Sequence, residues 1–202
     1  MKLYVFSLAP NPKKLLVYLK EKGLDVPCQE VDITQGANRT EEFLRKNPLG
    51  GLPVLELDDG SCLTESLAII EYLEELHPTP SMIGGSPMER ARTREVERIA
   101  DIGVLTSVGT IFQNTSPFFA GRVKQSAEAA ANARTRLANA LGALEKSIGS
   151  KPFAAGDRPT IADCTLVAAL QFGEFAGVDL DPTFQNLHRW YGAFKQRPSV
   201  QG

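Results

Sequence analysis

An acidic residue followed directly by a hydroxyl residue, Glu65-Ser66, stands just before an apolar helical segment. The free N–H groups and the positive dipole end at the start of a helix favour a bound carboxylate. A protein carboxylate beside them can at the same time pair with an ammonium group. The two residues therefore predict a binding site for a zwitterionic ligand that carries both charges.

The segment before this pair predicts a hairpin that presents its backbone to a ligand. Pro53 precedes an apolar strand over residues 54–57, and a tight-turn sequence follows at 58–60. Proline cannot donate to a sheet ladder, so it belongs at a strand start or in a cis turn. A cis Leu52–Pro53 bond would turn the N–H and C=O of Leu52 outward, where an extended ligand can dock as a short added strand.

Composition and charge exclude several classes of protein. The chain has 202 residues, and its 22 Lys and Arg against 24 Asp and Glu give a formal net charge of −2. No basic stripe with interleaved aromatic residues occurs, so nucleic acid is not an expected partner. The N-terminal apolar stretch is too short for a secretion signal and no stretch is long enough to span a membrane, which favours a cytoplasmic protein.

The cysteines and histidines predict no metal site. Cys28, Cys62 and Cys164 are widely spaced and form neither a C-x-x-C motif nor a metal-ligand pattern. We expect them to be buried free thiols, because a free cysteine commonly behaves as a small core residue. The two histidines, His77 and His188, lie far apart in sequence.

Strands and helices are predicted to alternate in the first part of the chain. The second strand has the alternating pattern of an outer strand, and the first helix is expected to be capped by Asn11, to carry Pro12 in its first turn and to end at Gly23. The predicted segments are residues 2–6, 11–23, 28–33, 39–46, 53–64 and 66–76. Their order is βαβ–α–ββα, and the Pro-rich segment 78–86 is predicted to be a domain linker.

The remainder of the chain is predicted to be entirely helical. Two long helices are expected over 88–115 and 122–148, and a last helix over 184–195. Between them, Thr160 and Asp163 form the pattern of a capping box at the start of another helix. That helix is largely apolar, which is typical of a helix at the centre of a bundle.

This ordered set of features resembles the cytosolic glutathione transferases. The resemblance rests on the Pro53 hairpin, the Glu65-Ser66 helix start and the Ala-Gly-Asp-Arg-Pro-Thr-Ile-Ala-Asp segment at 155–163, and it covers essentially the whole chain. It implies an α/β thioredoxin-like domain with a mixed four-stranded sheet over 1–77, the linker over 78–86 and an all-α bundle over 87–202. It also implies a homodimer that uses reduced glutathione as co-substrate without a metal.

The resemblance further implies which residues hold glutathione. The backbone of Leu52, presented by Pro53, would dock the cysteinyl part of the ligand. Glu65 and Ser66 would hold the ammonium and carboxylate of its γ-glutamyl end. Lys14 is a further candidate for contact with a glutathione carboxylate, although we expect Lys13 and Lys14 to be solvated.

The chemistry that the resemblance implies is activation of the glutathione thiol. Many members carry a catalytic serine just before the proline of the first turn, where this chain has Leu8 and Ala9. The Ala-Pro-Asn-Pro turn instead resembles an atypical bacterial and fungal subgroup, in which a helix start and a water held by the helical domain stabilise the thiolate. That subgroup often has histidines at the water-holding positions. The corresponding candidates here are Ser7, Asn11, Asn114 and Ser116.

The predicted function is transfer of the glutathione thiolate to a small hydrophobic electrophile. Phe112, Phe118 and Phe119, with Leu8, are candidates to line an apolar pocket, and core packing is the other interpretation of the phenylalanines. A non-catalytic interaction or regulatory module is one alternative function, because the usual catalytic serine is missing. A glutathione-dependent thiol-disulfide reductase is a second alternative, which is disfavoured because the turn at 7–14 contains no cysteine.

Overall fold

A four-stranded sheet organises the first part of the protein. The computed structural model describes residues 1–201, and its contacts divide the chain into two compact units after Met82. The strands are β1 (Lys2–Val5), β2 (Cys28–Glu30), β3 (Val54–Glu56) and β4 (Cys62–Thr64), in the order β2-β1-β3-β4. β1 is parallel to β2 and antiparallel to β3, and β3 is antiparallel to β4. The predicted mixed sheet and the outer position of β2 are both confirmed.

Three helices accompany the sheet, and both of its faces are covered. They are α1 (Pro10–Lys22), α2 (Glu41–Lys46) and α3 (Ser66–Leu76). On one face, Tyr4 and Val54 pair across strands and pack with Phe43 of α2. Leu3 and Leu55 are paired on the other face and are buried, and α3 packs against β3, β4 and α1. This arrangement fixes the starts of α1 and α3 relative to the sheet.

The first helix begins two residues earlier than predicted. Its N-cap is Ala9, which supplies no side-chain hydrogen bond, and Pro10 is its first residue. Proline has a fixed φ that suits the first helical position, so Pro10 starts the helix and places Asn11 inside it. The prediction that Asn11 is the cap is therefore wrong.

The second strand is shorter than predicted, because a side-chain hydrogen bond ends it. Asp32 accepts hydrogen bonds from the N–H (2.8 Å) and the hydroxyl (2.6 Å) of Thr34, which starts a 3-10 turn at Ile33–Gln35. A second 3-10 turn follows at Ala37–Arg39. The hydroxyl of Thr40 then caps α2 by accepting from the N–H of Phe43 at 3.3 Å.

The second unit is helical from Pro87 onward. Its helices are α4 (Pro87–Arg98), α5 (Thr106–Thr115), α6 (Ala127–Ile148), α7 (Ile161–Ala176), α8 (Gln185–Lys195) and the short α9 (Pro198–Gln201). The long helix predicted over 88–115 contains a π-helical segment, Ile99–Leu105, between α4 and α5. The helix predicted to begin at residue 122 begins at Ala127, because Ser126 caps it by accepting from the N–H of Ala129 at 3.2 Å.

Helix α7 lies at the centre of the helical unit, as predicted, and the capping box at its start is present. The carboxylate of Asp163 accepts from Thr160 N–H (2.9 Å), Thr160 hydroxyl (3.0 Å), Ala154 N–H (2.7 Å) and Trp190 Nε1 (2.9 Å). Complete burial raises the pKa of Asp163, while the four donors favour its ionised form. Asp163 therefore joins α7, α8 and the loop before α7.

Candidate functional site

The hairpin turn before β3 exposes a free backbone unit. The Leu52–Pro53 peptide bond is cis, and Val54 begins β3 directly after it. Among residues 1–201, neither the N–H nor the C=O of Leu52 makes a hydrogen bond. One donor and one acceptor are thus left beside the start of β3, as an extended peptide ligand requires.

Three side chains hold this turn in place, and two of them come from the 3-10 turn at Ala37–Arg39. Asn38 donates to the carbonyl of Gly50 at 2.8 Å, Arg39 to that of Leu49 at 3.1 Å, and Asn47 to that of Gly51 at 2.8 Å. Gly50 has a φ of 65°, and a Cβ there would lie 2.8 Å from both Arg39 Nη1 and Asn38 O. Only glycine combines this backbone with so close an approach.

Sequence reasoning missed the two residues that position the turn from outside it. Asn38 and Arg39 precede the turn by about ten residues, and the signals for helix and strand in this region say nothing about where their side chains point. Asn47-Pro48 is a recognisable turn sequence, so Asn47 was the one supporting residue with a local signal.

Glu65 and Ser66 occupy the start of α3 in an unusual geometry. Glu65 is the N-cap with φ 66° and ψ 116°, and it is the only non-glycine residue with positive φ among those that the structure describes. Its side chain does not cap the helix, and neither its carboxylate nor the hydroxyl of Ser66 has a hydrogen-bond partner within residues 1–201. Glu65 is exposed and Ser66 is buried. An ordinary capping role for Glu65 is therefore disfavoured.

The turn after β1 leads into a helix start with few donors. Pro10 and Pro12 have no N–H, and the N–H of Lys13 donates to the carbonyl of Ala9 at 3.0 Å. In the first helical turn, Asn11 alone keeps an N–H without a partner in the part of the chain that the structure describes. The positive dipole end remains, but the number of hydrogen bonds that it can give an anion is small.

A carboxylate that sequence reasoning missed lies against the same turn. The backbone N–H of Ser7 donates to both carboxylate oxygens of Glu30, at 3.2 Å each. Glu30 is the last residue of β2, which the parallel pairing brings beside the end of β1. The contact holds the Ser7 turn against the sheet and leaves the exposed hydroxyl of Ser7 without a partner among residues 1–201.

The expectation that both lysines of this turn are solvated is wrong for Lys14. The residue is only 1% exposed, since it lies on the inner side of α1. Lys13 is partly buried, and this desolvation, followed by the charge of Lys20, lowers the pKa of Lys13.

Asn114 and Ser116 have structural roles in the helical unit. The side chain of Asn114 donates to the carbonyl of Thr110 at 2.8 Å and accepts from the N–H of Ser126 at 2.9 Å. The hydroxyl of Ser116 accepts from the N–H of Phe118 at 3.3 Å. These bonds join the end of α5 to the start of α6, and they leave one amide hydrogen and one hydroxyl hydrogen available.

Phe112 is the centre of a group of aromatic rings in the helical unit. Its ring centroid lies 5.4 Å from that of Phe119, 5.6 Å from that of Phe172 and 5.5 Å from that of Phe175, and Phe118 lies 5.0 Å from Phe119. We call these five residues the aromatic cluster. Leu8, the remaining candidate for an apolar pocket, belongs to the other unit and is exposed.

The cysteines do not have the properties of redox thiols. Cys164 is buried as expected, but Cys28 is exposed and Cys62 is half-buried, so the expectation of three buried thiols is wrong for Cys28. Desolvation, followed by the charges of Glu30 and Asp25, raises the pKa of Cys28, and desolvation also raises that of Cys62. A raised pKa lowers the thiolate fraction that disulfide exchange requires.

Residues 1–201 offer neither a metal site nor a membrane-spanning helix. No group of His, Cys, Asp and Glu side chains there could hold a metal ion. No helix in the same range has the length and apolar character needed to cross a membrane.

Comparisons with known proteins agree across both units. Residues 3–81 match the family profile described as glutathione S-transferase, N-terminal domain, and residues 100–198 match that of the C-terminal domain. Glutathione S-transferase 2 of Saccharomyces cerevisiae is 30% identical over 100% of this chain and 88% of its own length. Maleylacetoacetate isomerase of Pseudomonas aeruginosa is 33% identical over 90% of this chain and 85% of its own.

Solved structures give the same result. The crystal structure of a glutathione S-transferase domain-containing protein from Marinobacter aquaeolei superposes with a TM-score of 0.91 and 35% identity, and the match covers 100% of both chains. Family profiles that match both units, together with relatives aligned over most of their own length, establish that the chain belongs to the glutathione S-transferase family.

Proposed function

We propose that the protein is a glutathione transferase that adds the thiolate of reduced glutathione to a hydrophobic electrophile. The observation that carries the proposal is the pair of unpartnered side chains at the start of α3. Glu65 has a backbone conformation that ordinary capping residues do not adopt, and its carboxylate is free beside the hydroxyl of Ser66. Such a pair suits the ammonium and carboxylate of a γ-glutamyl group.

The cysteinyl part of glutathione would dock on Leu52. The free N–H and C=O of this residue support two hydrogen bonds to the ligand backbone, in the manner of an added strand. We assign Leu52, Pro53, Glu65 and Ser66 to the glutathione site. Lys14 is a weaker candidate because it is almost completely buried.

Activation of the thiol would be shared by several weak contributions. Lowering a thiol pKa from about 8.5 by two units requires roughly 2.7 kcal/mol of preferential interaction with the thiolate. The first unit offers two hydrogen-bond donors, the hydroxyl of Ser7 and the N–H of Asn11, together with the positive dipole end of α1. A contribution from Asn114 and Ser116 stays a prediction, because the bonds observed for their side chains lie within the helical unit.

A non-catalytic glutathione-binding module is the second candidate function. It is favoured by the poor donor supply at the start of α1, where Pro10 and Pro12 remove two N–H groups, and by the carboxylate of Glu30 beside Ser7. A nearby negative charge disfavours a thiolate. The glutathione-dependent thiol-disulfide reductase is disfavoured further by the raised pKa of both Cys28 and Cys62.

Titration of the bound thiol distinguishes a transferase from a binding module. The ultraviolet absorbance of the glutathione thiolate is measured against pH in the wild type and in Ser7→Ala, together with conjugation rates. We expect a lowered thiol pKa in the wild type, and a loss in Ser7→Ala of less than about tenfold in rate, or 1.4 kcal/mol. Retention on immobilised glutathione with an unshifted thiol pKa and no turnover would favour the module. A pKa restored to about 8.5 by Ser7→Ala alone would make Ser7 the sole activator.

We further propose that the protein works in the cytoplasm as a homodimer, as the family resemblance implies. Sedimentation equilibrium of the full chain tests the dimer. A monomer at all concentrations would contradict it.

A further inference from the structure

The aromatic cluster is not a hydrophobic core. None of its five phenylalanines is fully buried, and Phe118 and Phe175 are 49% and 75% exposed. In the same unit, Trp190 and Phe194 stack at 5.4 Å and are both buried. Isolated exposed apolar residues are common, but a connected group of large exposed rings marks a binding surface.

A cation without a carboxylate partner lies at the edge of this cluster. The guanidinium carbon of Arg122 is 4.4 Å from the ring centroid of Phe118. No carboxylate among residues 1–201 forms an ion pair with Arg122. Stacking on the ring holds the guanidinium in place, and its N–H donors then point outward around the edge of its plane.

The segment that carries Arg122 is positively charged. Segment 116–126 contains Arg122 and Lys124 and no acidic residue. Lys124 also forms no ion pair within the described part of the chain. On α7, Glu174 lies next to Phe175 in sequence, but both of its carboxylate oxygens accept from Lys195 at 2.7 Å. A ligand with a negative charge would therefore meet unsatisfied donors and no carboxylate within segment 116–126, and the next acidic residue along the chain is Glu128 in the first turn of α6.

We propose that the aromatic cluster and Arg122 select aromatic electrophiles that carry an anionic substituent. This inference rests on the proposed transferase function and names the substrate class for it. The ring of the substrate packs edge-to-face against the cluster, whose rings already contact one another in that geometry. The carboxylate or sulfonate of the substrate accepts hydrogen bonds from Arg122, which is therefore a specificity-determining residue.

Paired electrophiles test the proposal. Conjugation of a chlorodinitrobenzoate and of its methyl ester is measured with the wild type, Arg122→Gln and Arg122→Lys. We expect Arg122→Gln to lower kcat/KM about tenfold for the carboxylate and to leave the ester unchanged, the effect of losing one exposed charge-assisted contact. Arg122→Lys keeps the positive charge but lacks the planar guanidinium. We expect its kcat/KM for the carboxylate to lie between the values of the wild type and Arg122→Gln.

A matched control separates a local contact from a general loss of charge. Arg134 on α6 is also exposed and forms no ion pair within residues 1–201. Arg134→Gln is expected to leave both electrophiles unaffected. Equal effects of Arg122→Gln on carboxylate and ester, or equal effects of the two arginine variants, would overturn the proposal.

Direct binding separates this inference from the proposed function. Calorimetry with unreactive dinitrobenzoate and dinitrobenzamide needs no turnover. We expect the wild type to bind the acid about tenfold more tightly than the amide and Arg122→Gln to lose that preference. If the wild type showed this binding preference but no conjugation activity, the transferase function would be refuted and the anion site would be retained.

Another copy of the chain is the alternative occupant of the aromatic cluster. If Phe175→Glu altered only the oligomeric state, seen by sedimentation, and left binding of dinitrobenzoate unchanged, the cluster would be an interface between copies of the chain. The proposal would then be wrong.

Discussion

The backbone conformation of Glu65 lowers the stability of the protein, whereas its free carboxylate favours ligand binding. A non-glycine residue with φ 66° and ψ 116° carries backbone strain on the order of 1–3 kcal/mol. Its carboxylate does not recover this energy through a contact within residues 1–201. Such strain typically persists at sites where a ligand uses the resulting geometry.

Loss of the charge of Glu65 or of the hydroxyl of Ser66 is expected to weaken glutathione binding. Glu65→Gln and Ser66→Ala should each cost about 1.5–3 kcal/mol, the range for charge-assisted hydrogen bonds. Isothermal titration calorimetry measures the change. Glu75→Gln, an exposed position near the end of the same helix, is the matched control and should bind normally. Unchanged affinity in a folded Glu65→Gln protein would remove Glu65 from the site.

Glycine at position 65 is expected to change stability and affinity in opposite directions. Glu65→Gly relieves the strain of the positive φ and should raise the free energy of unfolding by about 0.5–1 kcal/mol, while glutathione binding weakens by about 1.5–3 kcal/mol, as in Glu65→Gln. Glu75→Gly, inside α3, should instead lower that free energy by about 1 kcal/mol. Urea denaturation with and without glutathione measures both effects. A destabilised Glu65→Gly protein would show that the conformation is not strained.

At the scale of elements, the π-helical segment between α4 and α5 packs very closely on α6. A Cβ at Gly103 would lie 2.6 Å from the Cβ of Ala140. The helical signals over 88–115 predict an uninterrupted helix, and they contain no information about this contact. The close approach makes a residue without a side chain necessary at position 103.

Alanine at two helical glycines is expected to have opposite effects. Gly103→Ala forces an overlap and should destabilise the protein by about 1–3 kcal/mol. Gly142→Ala, in α6, meets no atom within 4 Å and should stabilise by up to about 1 kcal/mol through helix propensity. Thermal and urea unfolding compare the two variants. Stabilisation by Gly103→Ala would contradict the close packing of the π-helical segment on α6.

At the scale of the whole molecule, a buried ion pair fixes the segment that ends the first unit. Lys22 of α1 lies 2.5 Å from the carboxylate of Glu74 in α3, and both side chains are buried. Lys22 also donates to the carbonyl of Pro80 at 2.6 Å, and the N–H of Met82 donates to Glu74 at 3.2 Å. Part of the predicted linker is thereby attached to the first unit.

Removal of one charge from this pair is expected to be strongly destabilising. Glu74→Gln leaves Lys22 buried without its anion and should cost about 3–5 kcal/mol of unfolding free energy. At the neighbouring exposed position, Glu75→Gln should change the free energy of unfolding by no more than about 0.5 kcal/mol. The double variant Lys22→Met/Glu74→Gln should lose less unfolding free energy than the sum of the losses in the two single variants, because the two side chains interact directly. Additive effects in urea denaturation would contradict the pairing.

Features that local chemistry specifies could be predicted from the residues alone. These features are the succession of strands and helices along the first unit, the Pro53 hairpin, the position of Glu65-Ser66 before α3 and the capping box of α7, and each is signalled by residues a few positions apart. Fixed φ angles, absent N–H groups and short-range caps are encoded in residue type, so they can be predicted without a fold.

Which side chains meet could not be predicted without the three-dimensional packing. Glu30 against Ser7, Asn38 on Gly50 and the ring contact between Phe112 and Phe175 join residues that are 12 to 63 positions apart. Such contacts, like the burial of Lys14 and the free carboxylate of Glu65, depend on how neighbouring elements pack. Propensity and periodicity describe one element at a time, so they carry no information about side chains that approach from another element.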